Sequence, residues 1–331
     1  LKSGISAYIN CGEKRIESMM EMKATRDGYG EALVALGEKN PQVVVLSADL
    51  TDSTRASMFK ERFPERFFSM GVAEADMIGT AGGLSLVGKI PFCCSLGVFA
   101  SGRVWDQIRV TVCYSNLNVK IGGSHGGISV GADGASHQSI EEITLMRVLP
   151  NMKVVVPCDA IETRKATIQA GEVWGPVYIR FGRPPIPIIT AEDTPFLIGK
   201  GITMREGKDV AIFACGIMVY EALEAAKDLD KKGISARVIN LHTVKPIDEE
   251  IIFKAVKETG AIVTAEEHQL SGGFGSAVTE VAVKQHPVPV EMVGIKDRFG
   301  RSGSPEELMQ DFGLTRFDII KAVEKVLKRK G

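Results

Sequence analysis

The stretch that decides the fold is VKIGGSHGGISVGADGASHQS, residues 119–139. Its opening, VKIGG, reads as a buried strand, and that strand runs directly into a glycine-rich loop carrying His125, Asp133 and His137. Six glycines fall within residues 122–134, and two of the chain's five histidines lie among or just beyond them. In an open α/β sheet, residues just past the carboxyl ends of strands face the crevice where ligands bind. Glycine lets a ligand approach the backbone there, while His and Asp supply donors, acceptors and proton traffic near neutral pH. Another reading stays open at this point: the glycines make turns, Asp133-Gly134 is a turn pair and residues 136–139 cap the next helix, with both histidines incidental.

The same pattern repeats outward. VVVLSADL (43–50), IPFCCSL (90–96), KVVVP (153–157) and VYIRF (177–181) read as buried strands, and GRVWDQIRVTVCY, SIEEITLMRVL and AIETRKATIQA as helices between them. Alternation of this kind implies a mostly parallel sheet covered on both faces. The proline-rich RPPIPIITAEDTP (183–195) then interrupts it. A second run follows, with strands in DVAIFACG, ARVINL, AIVTAEE and PVEMVGI and helices near 219–232, 247–258 and 274–285. The expected architecture is two tandem α/β domains: an N-terminal extension over 1–22, a first domain over 23–187, a linker over 188–202 and a second domain over 203–331.

In FFSMGVAEADMIGTAGGLSLVG (67–88) a short strand passes through Gly71 into a helix whose first turn carries Glu74 and Asp76, as a helix dipole favours. Gly79, Gly82 and Gly83 are costlier, at roughly 1 kcal/mol each relative to alanine. A second backbone packed closely on that face would explain them, and would set Glu74 near an interface.

Composition narrows the function. With 44% hydrophobic and 24% charged residues the chain can build ordinary cores, and a net charge of -1 with scattered Lys and Arg offers no stripe for a nucleic acid backbone. No apolar run reaches the roughly 20 residues of a membrane span, and the first residues lack the apolar core of a signal peptide, which points to the cytoplasm. Six cysteines without a CxxC pair suit a reducing compartment and read as small core residues. His125, Asp133 and His137 lack a helical HxxxH or a thiolate, so a polar substrate is expected there rather than zinc. SGGFGSAV (271–278) falls short of the full dinucleotide fingerprint, and Glu266, Glu267 and His268 read as local polar structure.

Six segments in order carry a resemblance: KATRDGYGEAL (23–33), SADLTDS (47–53), GVAEADM (71–77), PFCCSLGVFASG (91–102), SHGGISVGADGASHQSIEEITLMRVLPNM (124–152) and VYIRFGRP (177–184). From Lys23 to its end the chain resembles the C-terminal half of transketolases. That resemblance implies a pyrimidine-binding domain for thiamine diphosphate, then a C-terminal domain away from the chemistry. Glu74 matches the glutamate that hydrogen-bonds N1′ of the cofactor's pyrimidine, and Phe99 the aromatic that stacks on it. Leu96 and Gly102 stand where many members have further aromatics, and Asp49 matches an aspartate close to the cofactor. His125 and His137 match the histidines that contact substrate hydroxyls and carbonyl, Asp133 an aspartate facing a sugar hydroxyl, and Arg26, Ser53 and Arg180 the contacts to the phosphate end.

The family's GDG motif and the Asn after it, which hold the metal and diphosphate, are missing: the DG pairs are Asp27-Gly28 and Asp133-Gly134, both out of context. The resemblance therefore implies one subunit of a split transketolase of the pentose phosphate type. A separate N-terminal subunit would hold most of the divalent metal (magnesium), and two copies of this chain would pair within a heterotetramer. Its reaction would move a two-carbon ketol unit from a ketose phosphate to an aldose phosphate. The alternatives are a 1-deoxy-D-xylulose-5-phosphate synthase-like subunit, against which His125 speaks, a 2-oxo acid dehydrogenase beta subunit, against which ADGASHQ speaks, and a non-catalytic partner protein.

Overall fold

The computed structural model describes residues 20–330. The expected extension over 1–22 lies almost wholly outside them, and Cys11 with it. Its last residue opens a strand. The first part of the chain contributes β1 (Met22–Ala24), β2 (Val43–Ser47), β3 (Phe67–Ser69), β4 (Ile90–Leu96), β5 (Lys120–Ser124), β6 (Lys153–Val155), β7 (Val177–Arg180) and β8 (Pro185–Pro187). The second contributes β9 (Ile202–Arg205), β10 (Val210–Ala214), β11 (Ala236–Asn240), β12 (Thr243–Lys245), β13 (Ile262–Gln269) and β14 (Val290–Ile295).

Two sheets form the scaffold. The larger has the order β12-β6-β7-β5-β4-β2-β3 and is parallel except for β12. The smaller has the order β14-β13-β10-β11-β9 and is parallel except for its edge strand β9. Every residue of β2, β5, β7, β10 and β11 is buried, as parallel strands sandwiched between helices require. The domains are less separate than the sequence suggests, because β12 leaves the second half of the chain to pair with β6 of the first sheet. Cys93, Cys94, Cys113, Cys158 and Cys215 are buried free thiols.

Three expectations change. Residues 102–114 do not form one α-helix: wide π-type turns over Phe99–Arg103 and Ile108–Tyr114 flank a short α-turn at Trp105–Gln107. The helix expected from Ser139 begins only at Glu142, because the Ser139 carbonyl accepts from Gly127 N and the Ile140 carbonyl from Gln269 N, which removes both from a helical ladder. Residues 185–187 form β8, paired antiparallel with β1, so the proline-rich segment starts as structure. Residues 188–201 carry no helix or strand, yet they are tied down: Asp159, at the N-cap of helix Ala160–Glu172, accepts from Ile189 N and Thr190 N.

Candidate active site

Parallel register gives β2, β3, β4, β5 and β7 a common carboxyl edge, with Ser47 beside Ser69 and Cys94, Leu96 beside Ser124, and Gly123 beside Arg180. Asp49 follows β2, Glu74 follows β3, Phe99 follows β4, and His125 follows β5. The edge therefore gathers side chains that are far apart in sequence, at the place where open α/β sheets bind ligands.

Glu74 is the first residue of helix Glu74–Leu86, and only 2% of its surface is exposed. Ser95 Oγ on β4 donates to its Oε1 at 3.5 Å, and an Arg103 guanidinium nitrogen donates to its Oε2 at 2.9 Å. The same guanidinium lies over the Phe99 ring, 4.2 Å from its centroid, and the His137 ring meets Phe99 edge-on at 5.4 Å. Leu96 is buried at the end of β4. A buried carboxylate and an aromatic ring, both reached by one guanidinium, offer an acceptor and a stacking face suited to a flat, hydrogen-bonding heterocycle.

His125 adopts a left-handed backbone, φ 57°, and its Nδ1 pairs with Ser124 Oγ at 2.8 Å. Its pKa is lowered to about 4, chiefly by burial, with Arg26 and Arg183 adding to the shift and Asp133 opposing it. His125 is neutral at pH 7 and lies within electrostatic reach of Arg26, Asp133, His137 and Arg183. Asp133 accepts from Arg183 at 3.2 Å, and His137 Nδ1 pairs with Ser136 Oγ at 2.9 Å. Arg26, in the first turn of helix Thr25–Lys39, donates to the Ser53 carbonyl at 3.1 Å, while its Nε is buried without a partner. Asp49 is exposed and left-handed, φ 59°.

Arg26 and Arg183 line a cleft of about 520 Å³ with Val130, Ser302 and Ser304. Arg180 is absent from it. Expected at the phosphate end, Arg180 is instead 5% exposed and enclosed at the junction of the two domains, donating to a Glu142 carboxylate oxygen and to the Glu267 carbonyl. Burial alone would lower its pKa, but the carboxylates of Glu142 and Glu267 outweigh burial and raise it. The residue that reaches the cleft is Arg183, which the segment VYIRFGRP contained and which the sequence reading passed over. Nor is the second domain remote: residues 302–305 form one wall.

On helix Glu74–Leu86, a side chain added at Gly79 or Gly83 would meet nothing within 4 Å, so their face is bare in the single chain, whereas Gly82 packs on Thr111. Among the described residues no group of three or more His, Cys, Asp or Glu is arranged to hold a metal, and no helix is long and apolar enough to cross a membrane.

Comparison with known proteins settles the lineage. Residues 21–187 match the transketolase pyrimidine-binding domain and residues 199–319 the transketolase C-terminal domain. The chain belongs to the transketolase family. Membership implies thiamine diphosphate as the cofactor. A chain from Methanocaldococcus jannaschii described as a transketolase C-terminal section is 46% identical over 93% of this chain and 98% of its own length. The 6-deoxy-6-sulfo-D-fructose transketolase subunit of a Clostridium species is 44% identical over 95% of this chain and 98% of that one. A solved split-gene transketolase, described as an inactive beta4 tetramer, superposes with a TM-score of 0.88 at 52% identity, covering 93% of this chain and 99% of that chain.

Proposed function

We propose that this chain is the C-terminal subunit of a two-chain transketolase, completed by a separate N-terminal subunit, that transfers a two-carbon ketol unit between sugar phosphates. One observation carries the reading: the buried Glu74 carboxylate and the Phe99 ring stand together on the same sheet edge as His125, Asp133 and His137. Thiamine diphosphate, when bound, supplies the carbon nucleophile that cleaves the ketose.

This chain's residues do the rest. Glu74 holds a proton against N1′ of the aminopyrimidine, and Phe99 packs its ring on that heterocycle. Neutral His125, with Nδ1 committed to Ser124, offers Nε2 to a substrate oxygen, and His137 stands beside Phe99 to do the same. Arg183 and Arg26 orient the anionic end of the sugar, Arg183 taking the place first given to Arg180. Asp133, held by Arg183, faces a sugar hydroxyl. Asp49 and Leu96 border the cofactor, and magnesium sits mainly on the partner subunit. The bare Gly79 and Gly83 face, with exposed Leu86 on the same helix and exposed Val110 and Tyr114 on the segment Ile108–Tyr114 packed against it, pairs two copies of the chain.

The test is reconstitution with a candidate N-terminal subunit, thiamine diphosphate and magnesium, assayed for ketol transfer from xylulose 5-phosphate to ribose 5-phosphate. Glu74→Ala is expected to lower kcat by at least about 100-fold, the usual scale for a positioned acid or base. Thermal unfolding of the variant should stay cooperative. Turnover near that of the unmodified complex would remove the role given to Glu74.

A further inference from the structure

Among the described residues Arg103 is the one cation on Glu74, and nothing in the proposed chemistry uses it. Its position is set locally. Phe99 and Arg103 are four residues apart on one helical turn, so the long side chain folds back over the ring, and Val104 then leaves helical backbone at φ -116°. The result is a planar cation stacked 4.2 Å from the Phe99 centroid and donating to the buried Glu74 carboxylate at 2.9 Å. Those are the two interactions that a protonated aminopyrimidine would make on the same two side chains.

We propose that Arg103 occupies the pyrimidine subsite of the uncombined chain and must leave it for the cofactor to enter; this rests on the reading of Glu74 and Phe99 given above. The need for such a group is physical. Glu74 is 2% exposed, and a buried carboxylate without a partner is strongly unfavourable, so in the empty subsite the ionised form is stabilised by a cation placed there. Removal of that cation is undemanding, because the Arg103 side chain is 47% exposed and can turn to solvent without repacking the core. The isolated chain thus favours the self-occupied state, and a ligand that needs the open state binds more weakly by the fraction of molecules that are open. Anchoring of the diphosphate by the partner subunit supplies the missing affinity, which ties cofactor loading to assembly.

The experiment uses the full chain without its partner and, as probe, 4-amino-5-hydroxymethyl-2-methylpyrimidine, titrated calorimetrically into the unmodified chain and into Arg103→Ala, Arg103→Lys and Glu74→Gln. Arg103→Ala is expected to bind about tenfold more tightly than the unmodified chain, equivalent to removing a 1.4 kcal/mol competitor. Arg103→Lys, which keeps the charge but loses the planar stack, should fall between them, and Glu74→Gln should bind worst. Equal affinity in Arg103→Ala and the unmodified chain overturns the gate while leaving the cofactor site standing. Weaker binding in Arg103→Ala overturns it by making Arg103 a direct contact. No binding to any of the four overturns the gate and counts against the cofactor site as well, a point that the Glu74→Ala reconstitution decides separately.

Discussion

Replacing Arg180 by alanine removes the cation that stands between Glu142 and Glu267, both buried at the domain junction. Two carboxylates left unpaired in a dry site cost far more than a lost surface contact, so Arg180→Ala should destabilise the chain by about 3–5 kcal/mol, read from urea unfolding. Arg183→Ala is expected to behave in the opposite way. Its side chain is 41% exposed and its partner Asp133 is at the surface, so unfolding should shift by no more than about 1 kcal/mol. In the reconstituted enzyme the same change should raise KM for phosphorylated sugars about tenfold or more and leave kcat nearly unchanged, as loss of a contact made equally in ground and transition states does. A large loss of stability in Arg183→Ala, or a KM effect confined to Arg180→Ala, would reverse the assignment. Nothing in the residue types separates these two arginines, three positions apart on the same strand end. Only the packing of the second domain over β7 decides which one is enclosed.

At the scale of elements, the loop between β5 and helix Glu142–Arg147 is held by its glycines. Gly127 has φ 86°, and an added Cβ would lie 2.1 Å from the Glu267 carboxyl carbon, which cannot retreat because Glu267 also accepts from Ser129 N at 2.6 Å. Gly127→Ala should therefore cost roughly 2 kcal/mol or more from combined backbone strain and overpacking, checked by urea unfolding. An unchanged midpoint would mean that the loop tolerates another path. Most strands were legible because β-branched runs such as VVVLS and VIN need burial on both faces, whatever packs there. Helix Ser139 onward was over-read because the carbonyls of Ser139 and Ile140 are claimed by Gly127 and Gln269, contacts distant in sequence. Helices Pro305–Asp311 and Arg316–Arg329 went unread although each opens with a complete capping box, Ser304 with Glu307 and Thr315 with Asp318, a purely local signal. Among the candidate site residues, the grouping of Glu74, Phe99, His125, Asp133 and His137 was legible from motif order. Arg103 was not, because its contact with Glu74 depends on the wide turns after β4.

At the scale of the whole molecule, two surfaces remain to be tested: the bare helix face and the seam between domains. If Gly79 and Gly83 mark the self-contact, Gly83→Arg places a long charged side chain where another backbone should lie, and sedimentation should show a shift toward monomer, while the chain's own stability holds or rises by up to roughly 1 kcal/mol, since a helical glycine is removed and nothing in the chain itself touches that position. The seam is tested by protons. Burial raises the pKa of Glu266 to about 8, against the backbone donors Gly275 and Phe274, while an unfolded glutamate titrates near 4.5. As pH rises from 4.5 to 6.5 the unfolded chain releases this proton and the folded chain keeps it, so Glu266 subtracts stability across that window, by roughly 2 kcal/mol, and goes on doing so until pH reaches its folded pKa. His125 and His242, both pushed down to about 4 chiefly by burial, act in the opposite sense, because the unfolded chain takes up their protons as pH falls below about 6.5. The opposing slopes hide each other in the unmodified protein, and a neutral isostere separates them. Glu266→Gln should gain on the unmodified chain as pH rises from 4.5 toward 8, and its advantage at pH 4.5 should be smaller than at pH 6.5 by roughly 2 kcal/mol, measured as the difference between two urea-unfolding series. Parallel series over that range would show that Glu266 is ionised in the folded chain, and the seam would then hold that charge beside Glu142 and Glu267 with Arg180 and Arg147 as its cations.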